Sequence, residues 1–170
     1  MAGTDTRGGA EAPLGDRVND SAAYSGHPEQ RDKGNQAVPP VSHERCILCG
    51  QKNPLSLGLV FNPAGEGVVE TVVPLHGRLQ GYDGILHGGV ISSLLDAAMT
   101  HCLFHAGIEA LTGDLHVRFV HPVPCDKNVK LRSWILTSFS PFYRLRAELL
   151  FEGRVMAWGE GRFARLRDRV

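Results

Sequence analysis

Apolar positions along this chain come first in short runs, then crowd into one nearly unbroken block, then alternate. The segments LGLVFNP (57–63) and GVVETVVPL (67–75) are short and β-branched, with a turn between them, which predicts two strands. The block GGVISSLLDAAMTHCLFHAG (88–107) has the length and the small or unbranched residues of one buried helix, with Gly107 as its stop. Alternation begins in LTGDLHVRFVHPV (111–123), where Leu115, Val117 and Phe119 share a face and Pro122 and Pro124 end the strand. NVKLRSWILTS (128–138) alternates in the same way. In FYRLRAELLFEG (142–153), Tyr143, Leu145, Ala147 and Leu149 oppose Arg144, Arg146 and Glu148. RVMAWGEGRFARL (154–166) returns after a turn at Glu152-Gly153. A helix that is apolar nearly all round must be wrapped by something. Strands with one polar face can do it, so the expected fold is α+β, a curled antiparallel β-sheet around one long central helix.

Residues 1–42 break this pattern. They are rich in Gly, Ala, Asp and Pro and hold few sizeable apolar side chains, so a disordered tail is expected there, with one domain over 43–170. Lys plus Arg (18) balance Asp plus Glu (18), and no basic field marks a nucleic-acid or membrane partner. Asp96 and His101 interrupt the best apolar run before it reaches the ~20 residues of a membrane span. No secretory leader is evident, and four cysteines in such a chain are expected to be thiols, which points to the cytoplasm.

Asp96 stands among Leu94, Leu95, Ala97, Ala98 and Met99, with little polar face to turn towards water. A carboxylate held against apolar surface has a raised pKa or a partner, and both are common at active sites. Upstream, Gly88 and Gly89 open the helix, where backbone N–H groups lack intrahelical acceptors and a ligand oxygen can approach closely. That describes an oxyanion site, with His87 either fixing the turn or lining the pocket. His101 and His105 are four apart, but no Glu follows His101, so the zinc-protease pattern is absent. Cys46-x-x-Cys49-Gly50 supplies two of the four ligands of a structural zinc, and His43, His121 or Cys125 would have to complete the set. The simpler reading is preferred, a tight turn with small apolar cysteines tucked against the fold, and no metal is expected.

HGGVISSLLDAAM (87–99) resembles the His-Gly-Gly-x(6)-Asp-x-Ala core of hotdog-fold acyl-CoA thioesterases of the phenylacetic-acid-degradation (PaaI-like) type. The likeness covers roughly residues 46–166, and CILCGQKNPLSLGLVF (46–61) is similar to the opening of a bacterial branch of that family. The resemblance implies that Asp96 is base or nucleophile, that Gly88 gives the oxyanion N–H, and that Thr112 helps hold the acid and the water. Many relatives carry an Asn six residues before the His; here that position is Gly81, with Gln80 beside it as the candidate replacement. Leu94, Leu95 and Met99 are expected on the pocket wall, Gly89 beside the acyl oxygen, and Arg118 or Arg146 near the coenzyme A phosphates. No metal or organic cofactor is required, because a thiolate of pKa ~8.5 leaves without a strong general acid.

Two other readings compete: a non-catalytic acyl-CoA-binding module, which has no need of a carboxylate facing an anionic ligand, and a dehydratase, which would want a His and an acid converging on the acyl chain. From Gly89 to Asp96 is seven residues, about 10 Å along a helix, too far for one chain to bring both to one carbonyl. A homodimer with two composite sites is therefore expected, with further pairing into a homotetramer left open.

Overall fold

A computed structural model describes residues 39–166. The tail expected over 1–42 lies outside the described residues up to position 38. The described chain begins with a single 3-10 turn at Val41–His43, closed by the His43 N–H on Pro40 O at 2.8 Å.

Six strands build one antiparallel sheet: β1 (Asn62–Pro63), β2 (Val68–Pro74), β5 (Ala110–Phe119), β6 (Asn128–Phe139), β7 (Phe142–Phe151) and β8 (Arg154–Arg165). Their spatial order is β1-β2-β6-β7-β8-β5, so β5 forms one edge. Two further strands, β3 (Gln80–Tyr82) and β4 (Ile85–Leu86), pair with each other in a small hairpin. The helix α1 (Gly88–His105) packs on one face of the large sheet. No helix among the described residues is long and apolar enough to cross a membrane.

The alternation in β7 works as its pattern predicts: Tyr143, Leu145, Ala147 and Leu149 are all buried. On the outer face, Glu148 accepts from Arg132 at 2.7 Å and from Arg146 at 3.3 Å, which satisfies a carboxylate that is only 7% exposed. The β7–β8 turn falls at Glu152-Gly153, both at positive φ (50° and 79°), as a two-residue hairpin requires. Helix α1 ends as expected at Gly107 (φ 69°), where the N–H groups of Gly107 and Ile108 bond to Phe104 O and Leu103 O. The helix can lie close to β8 because β8 carries glycines facing it. A Cβ at Gly161 would come within 3.1 Å of Met99 Sδ, and one at Gly159 within 3.6 Å of Leu95 Cδ1.

Two expectations need correction. The strand expected over 57–63 shrinks to Asn62–Pro63. Gly58 turns the backbone to φ 62°, and the N–H groups of Leu57 and Leu59 bond to Ile47 and Leu48 carbonyls rather than to the sheet. Leu59 and Phe61 are nonetheless buried core residues. Phe119, expected to face inward with Leu115 and Val117, is 52% exposed although it stays paired with Ala157, because β5 is the edge strand of the sheet, and its ring stands beside the start of α1.

Candidate active site

The hairpin β3–β4 delivers the chain into α1 through His87, the helix N-cap. His87 Nδ1 accepts from the Gly89 N–H at 2.9 Å, so that amide is already engaged. The Gly88 N–H is the first of the helix and has no acceptor within it. A Cβ at Gly88 would lie 3.6 Å from the Phe119 ring, so the amide is flanked by an exposed aromatic edge. Gly81 allows the same approach on the other side: a Cβ there would meet His87 Cδ2 at 3.1 Å. Gln80 is exposed, and its side-chain carbonyl accepts the Gly84 N–H at 3.1 Å, closing the hairpin turn.

Asp96 lies two turns further along α1, half-buried. Its Oδ1 accepts the Thr112 hydroxyl at 2.7 Å, across to the edge strand β5. Burial raises the Asp96 pKa above its ordinary value, while the Thr112 hydrogen bond and the charge of His43 pull it partly back. The carboxylate thus has both features that its apolar neighbours in the sequence called for. It faces the edge strand β5, whose exposed apolar residues include Leu111, and beyond the strand's end Val120.

The nominated residues do not form one cluster. Thr112 and Asp96 come together, and His87, Gly88, Gly89 and Gly81 come together at the helix start. Leu95 and Met99 are fully buried against β8 and act as core side chains within this protomer. Arg118 is exposed on β5, opposite Trp158, on the sheet face that also carries Glu148 and Arg132. Arg146 is committed on that face: it bonds Glu148 and Glu160 and lies over the Trp158 ring at 4.4 Å. An open groove of about 570 Å³ near the β6–β7 turn is lined by Phe139, Phe142, Arg144 and Gly113, but by none of the nominated residues.

Two contributions were not anticipated. Phe119 borders the Gly88 amide, for which its place in the β5 alternation was the one available signal. His43 acts electrostatically on Asp96 although 53 positions separate them in the chain. The 3-10 turn brings His43 against the helix, with its ring 4.8 Å from that of Phe104. Cys49 is buried and its thiol is pushed up to about 12 by that burial and by Cys46, which removes it as a nucleophile.

A thioesterase superfamily model matches residues 83–139. Among solved structures, a thioesterase superfamily protein is 26% identical with a TM-score of 0.64, the match covering 68% of this chain and 60% of that one. The chain thus spans about three fifths of that protein. The E. coli PaaI protein from the phenylacetic acid degradation operon has a TM-score of 0.61 at 17% identity, over 65% of this chain and 81% of that one. A Bacillus halodurans protein solved with CoA has a TM-score of 0.59 at 22% identity, over 66% of this chain and 77% of that one.

Proposed function

We propose, for a chain that has the hotdog thioesterase fold and resembles the PaaI type within it, the hydrolysis of acyl-CoA thioesters to free acid and coenzyme A. The observation that carries this reading is Asp96, half-buried, raised in pKa and held by Thr112 at the rim of an open sheet edge. A carboxylate whose pKa is raised is a stronger base, and thioester hydrolysis needs one base and one oxyanion donor. Asp96 takes a proton from water, the hydroxyl oxygen bonds to the acyl carbon, and the oxyanion is met by the Gly88 N–H. Collapse breaks the C–S bond and the coenzyme A thiolate leaves, taking up a proton according to its pKa. The CoA bound to the Bacillus halodurans protein of the same fold supports this substrate class.

The site is composite. Asp96 is eight residues from Gly88, about 12 Å along one helix, so the two serve one carbonyl only when a second chain supplies one of them. The edge strand β5, paired with β8 on one side only and with Leu111 61% and Val120 44% exposed near its two ends, offers the edge on which a twofold partner would add. The experiment is thiol release from short, medium, long and aryl acyl-CoAs, followed by mixing of inactive variants. Asp96→Asn should lower turnover at least ~10²-fold, and Gly88→Pro should lose a comparable factor with it. Refolded together, the pair should regain about a quarter of wild-type activity through mixed dimers. Flat traces across the whole panel would leave an acyl-CoA-binding module as the reading. Mixed dimers that form but stay inactive would place acid and oxyanion donor in one chain.

A further inference from the structure

We propose that His43, Cys46 and Cys49 form a binding site for one Zn²⁺ ion, independent of the thioesterase reading. Their ligand atoms all lie within 4.8 Å of one another. Zn–S and Zn–N bonds of about 2.3 and 2.05 Å at the tetrahedral angle put sulfur and nitrogen about 3.6 Å apart. Cys49 Sγ and His43 Nδ1 are 3.6 Å apart.

The backbone is folded to present these atoms together. The Cys46 N–H bonds to His43 O at 3.0 Å and the Gly50 N–H to Cys46 O at 2.9 Å, wrapping the segment into a knuckle. The Leu48 N–H points at Cys46 Sγ at 3.4 Å, a donor that stabilises a thiolate more than a thiol. Only glycine fits after the second cysteine: a Cβ at Gly50 would lie 2.6 Å from the carbonyl oxygens of both Cys46 and Glu44. A simple turn with two packed cysteines explains none of the convergence of His43. Two sulfurs and one imidazole select a borderline-soft cation over Mg²⁺ or Ca²⁺. His121 and Cys125, the other candidates in the sequence, do not join the group. Among the described residues no further ligand joins the group, so the fourth position is assigned to solvent, and two thiol protons pass to solvent as the thiolates bind. The ion ties the 43–50 segment to itself where it meets α1 at Phe104.

The test uses the full chain, reduced with a phosphine, stripped with a chelator and titrated with Zn²⁺ against a chromophoric competitor. One Zn²⁺ per chain is expected, and Co²⁺ in its place should show thiolate-to-metal charge transfer with the d–d absorption of a tetrahedral site. Cys49→Ser and His43→Ala should each weaken Zn²⁺ binding at least ~10²-fold, since losing even an outer partner of a ligand costs 10–100-fold. Reduced wild-type protein that takes up less than roughly a tenth of an ion per chain, or Co²⁺ without charge transfer, overturns the proposal. So does a Cys49→Ser variant with wild-type affinity. If the variants do not fold, the wild-type stoichiometry and the cobalt spectrum decide alone.

Discussion

His101→Phe should make the protein markedly less sensitive to acid. His101 is 3% exposed, stacked on Phe61 at 4.6 Å, and its Nε2 has no hydrogen-bond partner. Burial, with the charges of His43 and His105, lowers its pKa from 6.5 to about 4. Above pH 6.5 the residue is neutral folded or unfolded and adds no pH dependence. As pH falls below 6.5 the unfolded chain takes up a proton that the folded chain refuses, so stability drops until the pH nears the folded value. The linkage integral over the interval 6.5 to about 4 gives a loss of about 2 kcal/mol at pH 5 and about 3 kcal/mol at pH 4. Phenylalanine keeps an aromatic ring for Phe61 and Phe104 while removing the titrating group and the unpaired nitrogen, whose burial costs about 1–3 kcal/mol. At pH 7.5 the variant should be as stable as wild type or more so. Urea denaturation at matched protein concentration, at pH 7.5 and 5.0, reads the difference. Wild type should lose about 2 kcal/mol more than the variant over that interval. Equal losses in the two proteins, within about 0.5 kcal/mol, would refute the buried neutral imidazole.

Asp96→Asn should raise the midpoint of thermal unfolding at pH 7 while removing activity. An acid with a raised folded pKa loses stability as pH climbs from its unfolded value through its folded one, so the gain should vanish below pH ~3.8; a variant no more stable at pH 7 contradicts the burial argument. Thr112→Val removes a donor that lowers the Asp96 pKa, so the acidic limb of the kcat/KM profile should move to higher pH; an unmoved limb would separate Thr112 from the base. Gly50→Ala should cost about 1–3 kcal/mol in equilibrium unfolding, because its methyl overlaps two carbonyl oxygens and Cys46 N; an unchanged midpoint would show that the knuckle is not tight.

Periodicity was enough for most of the architecture. Alternation placed β5, β6 and β7, and the apolar block placed α1 and its stop, since burial on one face leaves a repeat that survives in one dimension; β-branched composition placed β2, and the turn at Glu152-Gly153 placed β8. The isolation of Asp96 among apolar neighbours was equally legible, because an acid there needs a local reason whatever the fold. The hairpin β3–β4 was not, since its five strand residues are too few for a period. Nor was the loss of strand over Leu57–Phe61, which depends on carbonyls of Ile47 and Leu48 arriving from elsewhere in the chain. The pattern of the chain did not show which partner Asp96 receives; the resemblance implied Thr112, and the tertiary structure makes the contact, because the Thr112 hydroxyl reaches the acid only when β5 forms the sheet edge beside α1. Tertiary structure alone joined His43 to Cys46 and Cys49 rather than to His121 or Cys125. Spacing in a chain constrains which atoms can meet, but distance in space selects among them, and that depends on backbone turns whose strength is shared over many weak contacts.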